Sequence, residues 1–292
     1  MGSIIFILSI FVAFIAVFLF KFLTSDADFN LLSKGKVKRK EIEDKVIWIT
    51  GASRGIGEIL AKQLATLGAK LILSARNEAE LERVKQQLAG KHAPNEVEIL
   101  PLDLTASEDI LKKAVEKAES FFNGAGVDYM FHNAAYERPK TAALDVTEEG
   151  LKMSSAAGKA PAPGQAVYSA SKFAVNGYFH TLRSELCKKG IKVTIVCPGP
   201  VKTSSTSGAG GASEKRVSSE RCAELTIIAA SHGLKEAWIS YQPVLAVMYL
   251  VQYMPAIGYW LMDKIGAKRV EAAAQKGNTY SLGLLFDKKK AQ

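Results

Sequence analysis

The chain has 292 residues, 48% of them hydrophobic and 23% charged, with a formal net charge of +9. That content excludes general disorder and leaves room for one large α/β domain or two small ones. The basic residues concentrate only at Lys34–Lys40 and at the C-terminus, and no basic face carries interleaved aromatics, which argues against a nucleic-acid partner.

Residues Ile4–Leu23 are apolar except for Ser9 and Lys21, near the length of about 20 residues that spans a bilayer as a helix. A cleaved signal peptide is the competing reading. It is disfavoured because no Lys or Arg precedes the apolar run and no small-x-small site follows it. Lys34, Lys36, Lys38, Arg39 and Lys40 then put the following domain on the cytosolic side. The expected organisation is an anchor over 1–23, a basic linker over 24–43, a dinucleotide-binding catalytic domain over 44–240, and an apolar extension with a basic tail over 241–292.

Val46–Ile49 reads as a short buried strand that runs into Thr50-Gly51-Ala52-Ser53-Arg54-Gly55-Ile56-Gly57 and then into a helical pattern through Leu60, Leu64 and Leu67. Strand, glycine turn and helix in this order suit a pyrophosphate: the glycines permit a tight turn, and the helix N-terminus faces the anion. Gly51, Ser53, Arg54, Gly55, Ile56 and Gly57 are therefore the expected nucleotide-binding turn. A second strand, Lys70–Ser74, ends at Ala75-Arg76. An acid there suits the ribose hydroxyls of NAD, whereas Arg suits a 2′-phosphate, so Arg54 and Arg76 favour NADP(H) over NAD(H).

A polar helix from Glu78 to about Gly90 leads to a strand over Val97–Leu102 that ends at Asp103. Asp103 can accept from an adenine amino group or cap the helix expected from Thr105 to about Phe122. Val127–Phe131 is the fourth strand, followed by His132-Asn133-Ala134-Ala135. Alternation of strand and helix predicts a doubly wound, Rossmann-type parallel sheet with its ligand at the strand C-termini.

Tyr168 and Lys172 lie four residues apart at the start of a helical run and share a face. A free phenol titrates near pH 10, and a neighbouring cation favours its ionised form. Val193–Cys197 is a further strand, followed by Pro198-Gly199-Pro200-Val201-Lys202-Thr203 and by a Ser/Gly/Ala-rich loop over Ser204–Glu214. A helix over Val217–His232 and a last strand over Ala237–Ser240 follow. Pro243–Met262 is again apolar and aromatic, with Pro255 and Gly258 against a clean spanning helix; it fits either a membrane interface or a helix over the substrate cleft. Cys187, Cys197 and Cys222 have no metal-ligand or CxxC spacing and read as reduced structural thiols, so no metal site is expected.

Together Thr50–Gly57, Asp103-Leu104, Asn133-Ala-Ala, Tyr168-Ser-Ala-Ser-Lys172 and Pro198–Thr203 resemble the short-chain dehydrogenases/reductases over about residues 44–240, most of all its membrane-associated members related to steroid and retinoid enzymes. The resemblance implies hydride transfer between a nicotinamide and a carbonyl or alcohol carbon of a hydrophobic small molecule. It gives Tyr168 the proton transfer, Lys172 the nicotinamide ribose and the tuning of Tyr168, and Ser155, thirteen residues before Tyr168, the substrate oxygen. It adds Asn133, Tyr168, Lys172, Pro198, Gly199, Val201 and Thr203 to the cofactor site. The terminal Lys288-Lys289-Lys290-Ala291-Gln292 resembles a dilysine retrieval signal and implies the endoplasmic reticulum.

One departure stands against the match. Only 24 positions separate Phe131 from Ser155. A strand-to-strand crossover takes about 30 residues or more. Asp145–Met153 suits two helical turns, and no β-branched apolar run precedes Ser154. The family's fifth strand, its crossover helix and half of its common dimer interface are therefore expected to be missing, which leaves homodimerisation without its usual helix. A catalytically impaired splice or gene-model variant, keeping part of the nucleotide site, is the alternative reading.

Overall fold

The computed structural model describes residues 2–134, 154–202 and 215–274. Its central layer consists of parallel strands in two separate blocks. In the first, β1 (Val46–Thr50), β2 (Lys70–Ser74), β3 (Val97–Ile99) and β4 (Tyr129–Phe131) lie in the order β3-β2-β1-β4. Every residue of β1 is buried, as expected of a parallel strand covered on both faces. The helices that join them are α3 (Gly55–Thr66), α4 (Glu78–Gln86) and α5 (Glu108–Gly124). The sheet of the first block thus has the Rossmann-type arrangement that the sequence predicts.

The second block pairs β5 (Ile195–Pro198) with β8 (Glu236–Ile239). It follows α6 (Ala166–Leu186), and a two-residue pair, β6 (Val201–Lys202) with β7 (Val217–Ser218), stands apart from both sheets. Among the described residues no strand joins β4 to β5. The two blocks therefore share no strand pair among the described residues, and the interval between Phe131 and Ser155 that the sequence singles out as short lies largely outside them. Trp48 of β1 and Met130 of β4 are partners, yet Trp48 is 3% exposed and Met130 38%. The two helical turns expected over Asp145–Met153 lie outside the described residues.

Helix packing holds the two blocks together. Ala223 and Ile227 of α7 (Ser219–Ser231) enter the same core as Leu60, Ala61 and Leu64 of α3, and Gln63 Nε2 donates to Glu220 O at 2.9 Å. The helix expected from Val217 begins two residues later. Val217 and Ser218 are taken up by pairing with β6, and Ser218 Oγ caps the helix by accepting from Arg221 N at 3.1 Å.

The N-terminal helix α1 (Gly2–Thr24) is long and apolar enough to cross a membrane. Its spanning window, within Ile4–Thr24, has a mean hydropathy of 2.9 and is not buried, so it is no core helix. The polar stretch after it packs on the domain. Ala27, Leu31 and Ile42 are buried. Asp28 N donates to Trp238 O at 2.9 Å, and Trp238 N donates to Asp28 Oδ2 at 2.6 Å, so the chain lies along the outer edge of β8. Burial pushes the Asp28 carboxyl above its ordinary range, although backbone N–H groups from Trp238 and Leu31 pull it back. The short helix α2 (Phe29–Leu32) follows, with Asp28 as its cap.

The apolar stretch after β8 forms α8 (Val244–Tyr253) and α9 (Pro255–Ala274), broken where Pro255 cannot continue the first helix. Leu245 and Met248 are fully buried beside Trp238 and Cys197. The helices meet closely at Gly258, where a Cβ would stand 2.7 Å from the Val251 backbone.

Candidate functional site

The glycine turn between β1 and α3 is set by steric necessity. Gly51 has φ +68°, and a Cβ there would lie 2.8 Å from Ala134 Cα. A Cβ on Gly57 would reach 2.1 Å from Gly51 O. Gly55, with φ +59°, has nothing within 4 Å of its Cβ position. Arg54, the residue preceding α3, makes no side-chain cap, so the first N–H groups of the helix are not taken up by it. This cradle fits the pyrophosphate of a dinucleotide, since backbone donors and the positive end of the helix converge on a space free of side chains.

Asn133, expected among the cofactor contacts, spends its amide on the protein. Nδ2 donates to Thr50 O at 3.1 Å and to Gly51 O at 3.2 Å. Thr50 Oγ1 completes the clasp, donating to Phe131 O at 3.2 Å and accepting from Ala134 N at 3.2 Å. The C-terminal ends of β1 and β4 are thus joined through side chains beyond the last ladder bond, and the turn is held in shape. Ser53 O accepts from Arg83 at 3.1 Å, and Arg83 in turn pairs with Glu58 at 3.1 Å.

Arg54 and Arg76 are both exposed, Arg76 just past the end of β2. Asp103 is exposed as well, and its Oδ1 accepts from Thr105 N at 3.0 Å and from Thr105 Oγ1 at 2.8 Å. Of the two roles open to it, the helix cap is not the one adopted: α5 begins at Glu108 after Ser107, and Asp103 instead closes a local turn.

On the other side of the break, Ser155 Oγ donates to Pro198 O at 3.3 Å and accepts from Ala157 N at 3.2 Å. Ser155 therefore caps a single 3₁₀ turn, Ala156–Gly158, pressed against the C-terminal end of β5. Lys172 is 5% exposed, and its Nζ lies 5.2 Å from the centroid of the Tyr168 ring, so α6 brings these two together as their spacing predicts. Burial lowers the Lys172 ammonium to about 8. Tyr168 is 44% exposed. Gly199 packs where a Cβ would meet Ser240 Oγ, and Val201 begins β6; Thr203 and the loop over 204–214 lie outside the described residues.

Three further residues position this region. Ser154 Oγ donates to Asn176 Oδ1, and Asn176 Nδ2 donates to Gly158 O at 2.8 Å. Ser169 Oγ accepts from Ala162 N at 3.1 Å. All three are buried, and together they fasten the segment from Ser154 to Ala162 onto α6. The sequence does carry one signal of this: Asn176 continues the face of Tyr168 and Lys172 one turn further, a polar residue where a core helix wants an apolar one. All three cysteines are free.

A parallel sheet with a glycine cradle at the first strand-to-helix turn, and a Tyr-Lys pair on a later helix, defines a Rossmann-type dinucleotide-binding protein. Comparison with known proteins narrows the class. The family model described as short chain dehydrogenase matches residues 45–152 and 149–212, in two pieces that meet inside the short interval. Dehydrogenase/reductase SDR family member 7 from Homo sapiens is 35% identical over 302 residues, covering 87% of this chain and 88% of that protein. The Mus musculus protein of the same name is 34% identical over the same shares. The crystal structure of 3-ketoacyl-(acyl-carrier-protein) reductase from Brucella melitensis, complexed with NADH, superposes with a TM-score of 0.56 at 22% identity, over 68% of this chain and 96% of that one.

The chain belongs to the short-chain dehydrogenase/reductase family of oxidoreductases. Because 87% of 292 residues is about 254, the 302-residue alignment with the human protein leaves about 48 positions without a counterpart here.

Proposed function

We propose that the chain is built for NADP(H)-dependent hydride transfer to or from the carbonyl or alcohol carbon of an apolar substrate of steroid or retinoid type. The observation that carries this reading is the pair on α6: a buried Lys172 with its ammonium 5.2 Å from the Tyr168 ring. The nucleotide supplies the hydride when bound. Gly51 and Ser53–Gly57 hold the pyrophosphate through backbone donors, Arg54 and Arg76 take the 2′-phosphate, and Asp103 borders the adenine. Pro198, Gly199, Val201 and Thr203 line the nicotinamide side, and Asn133 serves the nucleotide indirectly, by fixing Gly51. Tyr168 moves the proton at the substrate oxygen, Ser155 hydrogen-bonds that oxygen once its hydroxyl turns away from the Pro198 carbonyl, and the Lys172 charge favours the phenolate and binds the ribose. The reading is tested by NADPH and NADH titrations and by turnover of hydrophobic carbonyls. NADPH binding that survives Tyr168→Phe, with turnover lost, supports it; tighter binding of NADH overturns the cofactor assignment.

The break between β4 and β5 favours a second reading for this particular chain: a catalytically impaired form that keeps the nucleotide cradle. Ser155 sits in a 3₁₀ turn at the edge of β5, and a displacement of about 1 Å at a reacting centre can cost about a hundredfold in rate. Turnover that appears only when the missing crossover is restored supports this reading, and turnover by the chain as it stands refutes it.

The exposed apolar helix α1 supports membrane anchoring, with residues 44–240 as the catalytic domain and 241–292 as its extension. The basic residues over 34–40 support a cytosolic face, and the terminal lysines support the endoplasmic reticulum.

A further inference from the structure

We propose that the turn between α8 and α9 and the first two turns of α9 form a second membrane contact, seated in the headgroup–acyl boundary of the bilayer that α1 enters. The inference rests on the anchor reading of α1 and adds the surface that fixes how the domain lies on the membrane.

Tyr253 is 70% exposed, and Met254, Ile257, Tyr259 and Trp260 are each about half exposed. They fall within the eight residues 253–260 at the tip of the α8–α9 hairpin, whereas Leu245, Met248 and Val251 on the same hairpin are buried in the domain. The hairpin's buried anchors are therefore distinct from these residues, of which Tyr253 alone also meets the domain's rings. An exposed cluster of this kind marks a contact surface, and one rich in Tyr and Trp matches the composition of membrane interfaces. The apolar character stops abruptly: Asp263, Lys264, Lys268, Arg269 and Glu271 follow along α9. Lys264 Nζ lies 4.4 Å from the Trp260 ring centroid, which puts a cation at the upper edge of the patch, where phosphate headgroups would meet it.

Contact with α1 identifies the bilayer as the occupant. The last turns of α1 are joined to α8 and the residues just before it: Gln242 Nε2 donates to Phe22 O at 2.9 Å, and Phe22 packs edge-on against Tyr249 of α8 at 5.8 Å. Tyr249 stacks on Tyr253 at 6.0 Å, and its hydroxyl accepts from Phe29 N at 3.3 Å. An unbroken run of rings thus connects the point where α1 leaves the apolar phase with the first residue of the exposed patch. A helix lying in the interface buries its apolar face by about 5–10 Å, a depth reached by side chains next to the end of a spanning helix. The same α9 lies beside the segment leading to Tyr168: a Cβ on Gly164 would stand 3.6 Å from Val270 Cγ2. Seating α9 therefore also fixes where that segment lies relative to the lipid.

The three tryptophans give a direct test, because Trp260 is 57% exposed while Trp48 and Trp238 are 3% and 6% exposed. The full chain is reconstituted in phosphatidylcholine vesicles with or without bromine on the upper acyl chain, alongside Trp260→Phe, and each sample is also extracted with alkaline carbonate. The expected result is loss of the Trp260 emission in brominated vesicles and no bromine effect on Trp260→Phe. Protein that resists carbonate but shows no bromine effect overturns the second contact while leaving the anchor intact. Protein that is released and unquenched overturns both; protein that is released yet quenched upholds the contact and removes the anchor.

Discussion

Asn133→Ala tests whether this side chain holds the nucleotide cradle or touches the nucleotide. The substitution deletes two donated hydrogen bonds, at 3.1 and 3.2 Å, to the carbonyls of Thr50 and Gly51. Each is worth about 1 kcal/mol net, so a loss of about 2 kcal/mol is expected. In a domain of this size that lowers the melting midpoint by about 4–8 °C. Asn133→Asp separates geometry from electrostatics. It keeps the shape but sets a carboxylate against two carbonyl oxygens, and should cost more than the alanine change. Thermal melts of the detergent-solubilised full chain measure both effects, and NADPH titration reports whether the cradle has relaxed. A nucleotide-contact role predicts the reverse pattern: weaker binding with the melting point unchanged. That outcome, or an Asp variant as stable as the parent, would refute the clasp.

Three further changes probe the rest of the site. Gly57→Ala places a methyl 2.1 Å from Gly51 O, so the turn must open; nucleotide binding should be lost together with several kcal/mol of stability, read from binding and denaturant titrations. Arg76→Ala, at an exposed position, should remove about tenfold of the preference for NADPH over NADH and leave the melting point unchanged, checked by parallel titrations. Lys172 is lowered to about 8 by burial, so between pH 8 and its unfolded value of about 10.4 the unfolded chain holds a proton that the folded chain has released. Stability should therefore rise with pH across that window, by about 3 kcal/mol at most, and Lys172→Met should flatten the rise; an equal slope in both proteins would refute the assignment.

Sequence patterns disclosed those parts of the fold whose cause is local. Strands covered on both faces are apolar runs, so Val46–Thr50 and Lys70–Ser74 could be read directly, and the glycines between β1 and α3 mark a turn that no other residue fits. The Tyr168–Lys172 pairing is a helix spacing and was equally legible. Contacts across long sequence separations were not. The Asn133 clasp spans more than eighty residues, and its asparagine looks like any loop asparagine until β4 is laid against β1. The stretch after α1 reads as a basic linker because of its lysines, yet Asp28 and Leu31 are buried against β8, a partner more than two hundred residues away. The end of α5 also departs from its pattern: Phe121 leaves the helix at ψ 159°, and Phe121 and Phe122, both partly buried, pack against the core that holds Trp48.

Removing an interior strand from a parallel sheet threatens about 1–3 kcal/mol for each buried backbone group left unpaired, against a total stability of about 5–15 kcal/mol. The two edges meet that threat in different ways. At β4 the strand is three residues long and Met130 is 38% exposed, so water reaches the edge and the loss there is one of apolar burial. At β5 the chain itself covers the edge: Ser155 Oγ donates to the Pro198 carbonyl, and Ser154 Oγ lies 3.5 Å from Cys197 Sγ. Cohesion between the halves passes through α3 and α7, which share a core. This division explains how the nucleotide cradle and the Tyr168–Lys172 pair can each persist. Each lies within one block, whereas turnover needs the distance between the blocks to be right. Nucleotide binding is therefore expected to depend less than hydride transfer on the distance between the blocks.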